Sequence, residues 1–106
     1  MNSLHDWELH SVKLDWKSGE TRFDISWVDE HHVLVAKGTQ SLHLSREFSW
    51  GPTNWIMGAN EPIKTAEGQF LLKIEMQSGD NIEIVAESFE IPDAKPRASW
   101  QLPLGK

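Results

Sequence analysis

The sequence predicts an all-β fold, a single domain of antiparallel hairpins that form a sandwich or a strongly bent sheet. Apolar residues alternate with polar ones over much of the 106-residue chain, and short turn signals separate the alternating segments. No window offers an apolar stripe of ten or more residues with the helical period. A chain of this length can bury one core without disulfides, and it contains no cysteine.

Alternation identifies the strands, because successive side chains on a strand point to opposite faces of a sheet. Trp7 is in phase with Leu9, and Trp16 follows the even-numbered phase of Val12 and Leu14. We therefore expect both tryptophans in the core. The other apolar positions expected to line buried strand faces are Phe23, Ile25, Trp27, Leu42, Leu44, Leu72, Ile74, Met76, Ile82, Ile84 and Ala86.

Two segments change phase part-way along. The odd-numbered apolar phase of residues 7–9 gives way to an even-numbered one at residues 12–16. The even-numbered phase of residues 82–86 likewise gives way to an odd-numbered one at residues 89–91. A strand that continues through such a change needs a bulge or a sharp bend, so we expect both segments to bend across the domain.

Turn signals lie between the strands, at Lys17–Glu20, Asp29-Glu30, Lys37-Gly38 and Ser78–Asn81. Gly19 and Gly79 are expected to have positive φ, which tight hairpin turns require and glycine adopts readily. Residues 48–62 hold two Gly, two Pro, two Asn and three large aromatics. This composition predicts a long loop with a short strand near residues 55–57.

A weak internal repeat relates residues 12–20 to residues 72–80, with three identities in nine positions. Two interpretations stay open. Two amphipathic hairpins can converge on one pattern, or the chain contains a duplicated hairpin unit related by pseudo-twofold symmetry.

Charge is distributed unevenly along the chain. Residues 1–94 carry seven Lys/Arg and sixteen Asp/Glu, a balance of −9, whereas residues 95–106 carry Lys95, Arg97 and Lys106 with no acid. We expect residues 1–91 to form the β domain and residues 92–106, with three prolines, to form an extended or disordered basic tail. The acidic body disfavours nucleic acids and favours a basic partner, although solubility alone also explains it.

Neither a membrane span nor a signal peptide is predicted. The longest apolar run is the four residues from Val33 to Ala36, and Met1 to His10 lack the basic and apolar regions of a signal peptide. We expect a cytoplasmic protein of bacterial type.

The five histidines do not follow a metal-binding motif. His31 and His32 are adjacent and would point to opposite faces of a strand, which leaves His5, Asp6 and His10 as the group that could gather at a strand end. We predict no metal site and no cofactor. Nucleophile motifs and phosphate loops are missing as well, and the acids fall on the polar strand phase, so we predict no enzyme activity and keep a small hydrolase as a distant alternative.

Six tryptophans in 106 residues are the strongest oddity of the composition. Trp50 and Trp55 fall in the predicted loop, and Trp100 falls in the tail, where the core does not account for them. They could cap the open end of the core, form a stacking platform for sugars, or anchor a protein partner. Trp50 and Trp55, with Glu83 and Glu87 as a charged rim, are the candidate binding residues.

Four segments carry a resemblance to a known group of proteins: Leu4-His5-Asp6, Val12 to Trp16, Trp50 to Asn54 and Ile74 to Asp80. They resemble a family of short, functionally uncharacterised bacterial proteins with an LHD opening, a WGPS-like loop and an EMQSGD hairpin. The resemblance spans residues 4–91 and implies a compact β domain, with no catalytic residues to carry over. Such proteins also resemble the acidic immunity proteins that bind basic toxins.

These observations together predict a non-catalytic module that binds a basic protein in the manner of an immunity protein. A carbohydrate-binding module that uses the loop tryptophans is the alternative.

Overall fold

The computed structural model describes residues 4–92, and within them it contains nine β-strands and no helix. The strands are β1 (Glu8–Asp15), β2 (Glu20–Trp27), β3 (Glu30–Lys37), β4 (Ser41–Leu44), β5 (Ile56–Ala59), β6 (Ile63–Lys64), β7 (Phe70–Met76), β8 (Asn81–Ala86) and β9 (Ser88–Glu90). All pairings between them are antiparallel, which confirms the predicted all-β fold. The predicted tail, apart from Pro92, lies outside the described residues.

The strands form two sheets connected by bent segments of chain. One sheet has the order β1-β2-β3-β9, and the other has the order β4-β8-β7-β5, with β6 paired to β7. The chain crosses from the first sheet to the second between β3 and β4, and it returns between β8 and β9. The second crossing is the bend predicted from the phase change after residue 86.

Backbone hydrogen bonds also join the two sheets on the opposite side. The Asp6 N–H donates to the Ile56 carbonyl (2.9 Å), the Ile56 N–H donates to the Trp7 carbonyl (2.7 Å), and the Leu9 N–H donates to the Asn54 carbonyl (2.8 Å). The start of β1 is therefore paired on both sides, whereas its later residues form a sheet edge.

The core lies between the sheets, on the faces that the alternation predicts. Its buried strand residues are Phe23, Ile25, Leu34, Ala36, Ile56, Leu72, Ile74, Met76, Ile82, Ile84 and Ala86. Leu4 and Trp7 close one end of this core. Because a one-residue slip would expose a whole face, this burial fixes the register of β2, β7 and β8.

The phase change in β1 is a β-bulge. Leu9 pairs with Ile25 and Ser11 pairs with Asp24, so His10 is an extra residue without its own partner in β2. An extra residue shifts the alternation by one position, as the sequence predicted.

Five of the apolar positions expected on buried strand faces differ from expectation: Leu14 is 39% exposed, Leu42 is only partly buried, and the other three are Trp16, Leu44 and Trp27. Trp16 is 88% exposed because β1 ends at Asp15, so Trp16 belongs to the turn and not to a sheet face. Leu44 is half-exposed because β4 is an edge strand at the end of its sheet. Trp27, the last residue of β2, is only partly buried and packs against the core from its margin.

The repeated segments both form the first strand and turn of a hairpin, one hairpin in each sheet. Their side chains are not equivalent, however. Leu14 and Trp16 are exposed, whereas their counterparts Ile74 and Met76 are buried.

Gly19 and Gly79 have φ values of 76° and 94°, which confirms the turn predictions. We expect Gly79→Ala to lower the free energy of unfolding by about 1–2 kcal/mol, because an L-residue with a Cβ pays that cost in the left-handed region. Gly79→Asn is the matched control, since asparagine tolerates this conformation better and should cost less. Urea titrations of the two variants check the prediction, and equal stability of the alanine variant and the parent would contradict it.

Candidate functional site

The loop that carries the candidate tryptophans follows β4 and is bound to the tip of the β7–β8 hairpin. The Trp50 N–H donates to the Ser78 carbonyl (2.9 Å), and the Gln77 N–H donates to the Trp55 carbonyl (2.9 Å). Two consecutive hairpin residues thus hold the two tryptophans by their backbones. The sequence placed both tryptophans in a loop but could not show that they share one hairpin.

The buried carboxylate of Asp80 binds this loop through hydrogen bonds. Its Oδ1 accepts hydrogen bonds from the Ser45 hydroxyl (2.8 Å) and the Glu47 N–H (2.7 Å), and its Oδ2 accepts from the Phe48 N–H (2.9 Å) and the Ser78 hydroxyl (2.6 Å). The side chain is only 4% exposed. The Ser78 hydroxyl, followed by the Glu47 N–H, holds the pKa of Asp80 far below its ordinary value, against the opposing effect of desolvation. Asp80 therefore stays charged and ties the loop to the hairpin.

Both candidate tryptophans expose a large part of their side chains. Trp50 is 72% exposed and lies beside Gly79, and Trp55 is 42% exposed. Burial in the core therefore does not explain Trp50. Trp16, which the sequence assigned to the core, is a third exposed tryptophan, but it lies at the tip of the β1–β2 hairpin, away from this loop.

Four carboxylates lie at the end of the domain that contains Trp55, and we call Asp6, Glu8, Asp29 and Glu30 the acidic end. Glu8 forms an isolated antiparallel bridge with Trp55. Gln77 Nε2 donates to Asp6 Oδ1 (3.1 Å), the turn after Trp27 carries Asp29, and Glu30 begins β3 opposite Trp27. The segments that meet here, residues 4–10, 26–33, 50–57 and 75–79, contain no Lys or Arg. The acidic end thus lacks a permanently cationic side chain of its own.

Histidines accompany three of these carboxylates. His5 lies 3.4 Å from Asp6, His10 lies 3.8 Å from Glu8, and His32 lies 3.3 Å from Glu30. The His10 ring also stacks on the His31 ring, with 5.6 Å between centroids. The described part of the chain contains no group of three or more His, Asp or Glu side chains placed to hold a metal ion.

Glu83 and Glu87, the predicted charged rim, lie elsewhere on the second sheet. Glu83 is in register with His43 on one side and Lys73 on the other. Glu87 lies at the crossing between β8 and β9, against Gly38. It follows Gly79 by eight residues of extended chain, which corresponds to roughly 25 Å. The structure therefore does not bring Glu87 together with the tryptophans, and it places Glu83 between His43 and Lys73 in the sheet.

None of the residues from 4 to 92 belongs to a helix of the length and hydrophobicity that crossing a membrane requires. Comparison of the chain with protein-family models, with curated proteins and with solved structures finds no match, so its function is inferred from its own geometry.

Proposed function

We propose that this domain is a non-catalytic module that binds a basic protein, with Trp55 as the apolar anchor and the acidic end as the charged surround. The observation that carries the proposal is the position of Trp55. Its exposed indole lies among segments that supply five carboxylates, the four of the acidic end and Glu75, and no Lys or Arg. Tryptophan is enriched among residues that dominate binding energy, and charged groups around such an anchor steer the partner and select it.

The backbone around Trp55 supports an anchoring role, because both sides of the residue are fixed. The Glu8 bridge lies on one side, and the Gln77 N–H binds the Trp55 carbonyl on the other. A side chain presented from fixed backbone loses little conformational entropy on binding. Trp50, bound to the neighbouring Ser78, extends the apolar surface along the hairpin tip.

A carbohydrate module is the second candidate, and the exposure of Trp50 on a loop favours it. Stacking of a sugar on an indole requires an accessible ring, which Trp50 offers. Neutral sugars would gain little from the four carboxylates of the acidic end. The salt dependence of binding therefore separates the two candidates, because only attraction between net charges is screened by salt.

We expect Trp55→Ala to weaken binding of a basic partner by ~2 kcal/mol, about thirtyfold, while the domain stays folded. Trp16→Ala is the matched control, because Trp16 is more exposed than Trp55 and lies on a different hairpin. The immobilised full chain and both variants would be used to capture proteins from a lysate of the source organism at low and high salt. Captured proteins would be identified and their affinities measured with purified material.

The proposal requires that the parent chain captures a basic protein at low salt and not at high salt. At low salt, the Trp16→Ala variant must capture the same protein and the Trp55→Ala variant must not. Equal loss with both tryptophan variants would show that the capture is non-specific. Salt-independent binding to a glycan array, with no protein captured, would replace the proposal with the carbohydrate candidate.

A further inference from the structure

A cleft of about 590 Å³ opens between β1 and the loop that follows β4. Its volume falls within the range of small-molecule sites, about 300–1,000 Å³. Val12 and Leu44 contribute apolar surface, and Met76 and Ile82 of the core form its base. The cleft borders the acidic end at His10 and Asn54, but none of the four carboxylates of the acidic end lines it, and the proposed protein-binding function does not use it.

The charged side chains in the lining of the cleft are one carboxylate, Asp80, and one guanidinium, Arg46. The two oxygens of Asp80 accept four hydrogen bonds from protein donors. The Arg46 guanidinium, in contrast, forms no ion pair with any residue between 4 and 92, and it lies 4.5 Å from the centroid of the Phe48 ring. Asp80 is only 4% exposed, whereas Arg46 is exposed, so the charged group that a ligand can contact is the guanidinium, with the polar side chain of Asn54 also in the lining.

The backbone conformation and the ring of Phe48 hold the Arg46 guanidinium in position. Phe48 has a φ of 56°, an unfavourable value for a residue with a Cβ, and its N–H is held by Asp80. Residues in this region persist where surrounding contacts impose them, and they are concentrated at ligand-binding sites. The Phe48 ring in turn provides the face against which Arg46 packs.

We propose that the cleft binds a small amphipathic anion, with an apolar body between β1 and β4 and an anionic head on Arg46. Guanidinium groups bind carboxylate, sulfonate and phosphate oxygens through paired N–H donors. The apolar body would cover Val12, Leu44 and Met76. A cationic amphipath would lack the anionic group that Arg46 selects.

The test uses the full chain and the fluorescent anion 8-anilinonaphthalene-1-sulfonate as the probe. We expect saturable binding that falls at least tenfold in Arg46→Gln and is displaced by dodecanoate but not by dodecylammonium. Arg22→Gln is the matched control, because Arg22 is an exposed arginine of β2 that already pairs with Glu20 at 3.6 Å. Leu44→Glu is the second variant. It adds a negative charge at a half-exposed position and should abolish binding without unfolding the domain.

Amide chemical shifts of the full chain locate the probe. The proposal requires that the largest chemical-shift changes on probe binding occur in residues 9–12 and 44–54. Each variant must also have the same melting temperature as the parent. Shifts concentrated around Met57 and Ile63, or equal affinity in Arg46→Gln and Arg22→Gln, would overturn it. Trp55→Ala should leave probe binding unchanged, so failure here and failure of the protein-binding proposal are distinguishable.

Discussion

Replacement of Trp7 by alanine is expected to lower the free energy of unfolding by about 3–5 kcal/mol, the usual cost of truncating a core aromatic residue. Trp7 is only 1% exposed, and its ring stacks on Trp27 with centroids 5.9 Å apart. It also packs against His32, at 5.2 Å between ring centroids. Since the backbone of Trp7 joins the two sheets through Ile56, a cavity here would weaken both the core and the connection between the sheets.

Trp16→Ala serves as the control for Trp7→Ala, because both variants remove an indole. Because Trp16 is 88% exposed, Trp16→Ala should change the free energy of unfolding by no more than about 0.5 kcal/mol. Trp27→Ala should fall between the two, since Trp27 packs at the margin of the core. Denaturant titrations with a common m-value measure all three. A Trp7→Ala loss below ~1 kcal/mol, or losses of equal size for Trp7 and Trp16, would show that the core is assembled differently.

Asp80→Asn is expected to lower the melting temperature by about 10 °C, because the amide offers a donor where the carboxylate accepts. The Ser45 hydroxyl and Glu47 N–H bind one oxygen, while the Phe48 N–H and Ser78 hydroxyl bind the other. Whichever way the asparagine amide is turned, its NH₂ group faces two donors. The loop between β4 and β5 should lose its attachment to the hairpin, and its amide protons should exchange faster.

The lowered pKa of Asp80 also predicts the direction in which folding stability changes with pH. The pKa of Asp80 is lowered in the folded state, chiefly by the Ser78 hydroxyl, so its contribution to stability is present above the unfolded pKa of about 3.9. That contribution is lost as the pH falls below about 4 toward the folded pKa. Stability should therefore decline in acid, and Asp80→Asn should flatten the decline.

Melting temperatures between pH 6 and pH 2.5 measure this effect, with the exposed Glu67→Gln as the control. Part of the acid dependence should remain in Asp80→Asn, because the hydrogen bond from Ser11 also lowers the pKa of Asp24. If the melting temperature falls with pH by the same amount in the parent and in Asp80→Asn, Asp80 does not cause the loss of stability in acid.

Local patterns were sufficient for much of the fold. The alternation in residues 72–86 predicted which side chains of β7 and β8 are buried, because the strand period assigns each residue to one face whatever covers it. The phase change near residue 10 predicted the bulge for the same reason. Trp16 failed the prediction because periodicity shows neither where a strand ends nor how far the core extends. Trp16 lies one residue past Asp15, and Leu14, which is inside β1 and on the same phase, is also 39% exposed.

The candidate site depended on contacts between distant residues. The composition of residues 48–62 predicted that Trp50 and Trp55 lie in a loop, but their attachment to Ser78 and Gln77 joins residues more than twenty positions apart. The strand phase predicted that Glu83 and Glu87 are exposed, yet it contains no information on how far they lie from the tryptophans. The acidic end escaped prediction because its carboxylates come from two separate turns and strands.

The sequence by itself therefore determined the fold class, the inward faces of the main strands, the bulge in β1 and the glycine turns. Each of these depends on the chemistry of neighbouring residues along the chain. Only the tertiary structure decided which carboxylates surround Trp55, and that Asp80 is buried and binds the loop after β4. Only the tertiary structure also placed Arg46 over Phe48 at the cleft. Contacts between distant segments bring these groups together in space. Local sequence patterns do not show this proximity, because the groups lie far apart along the chain.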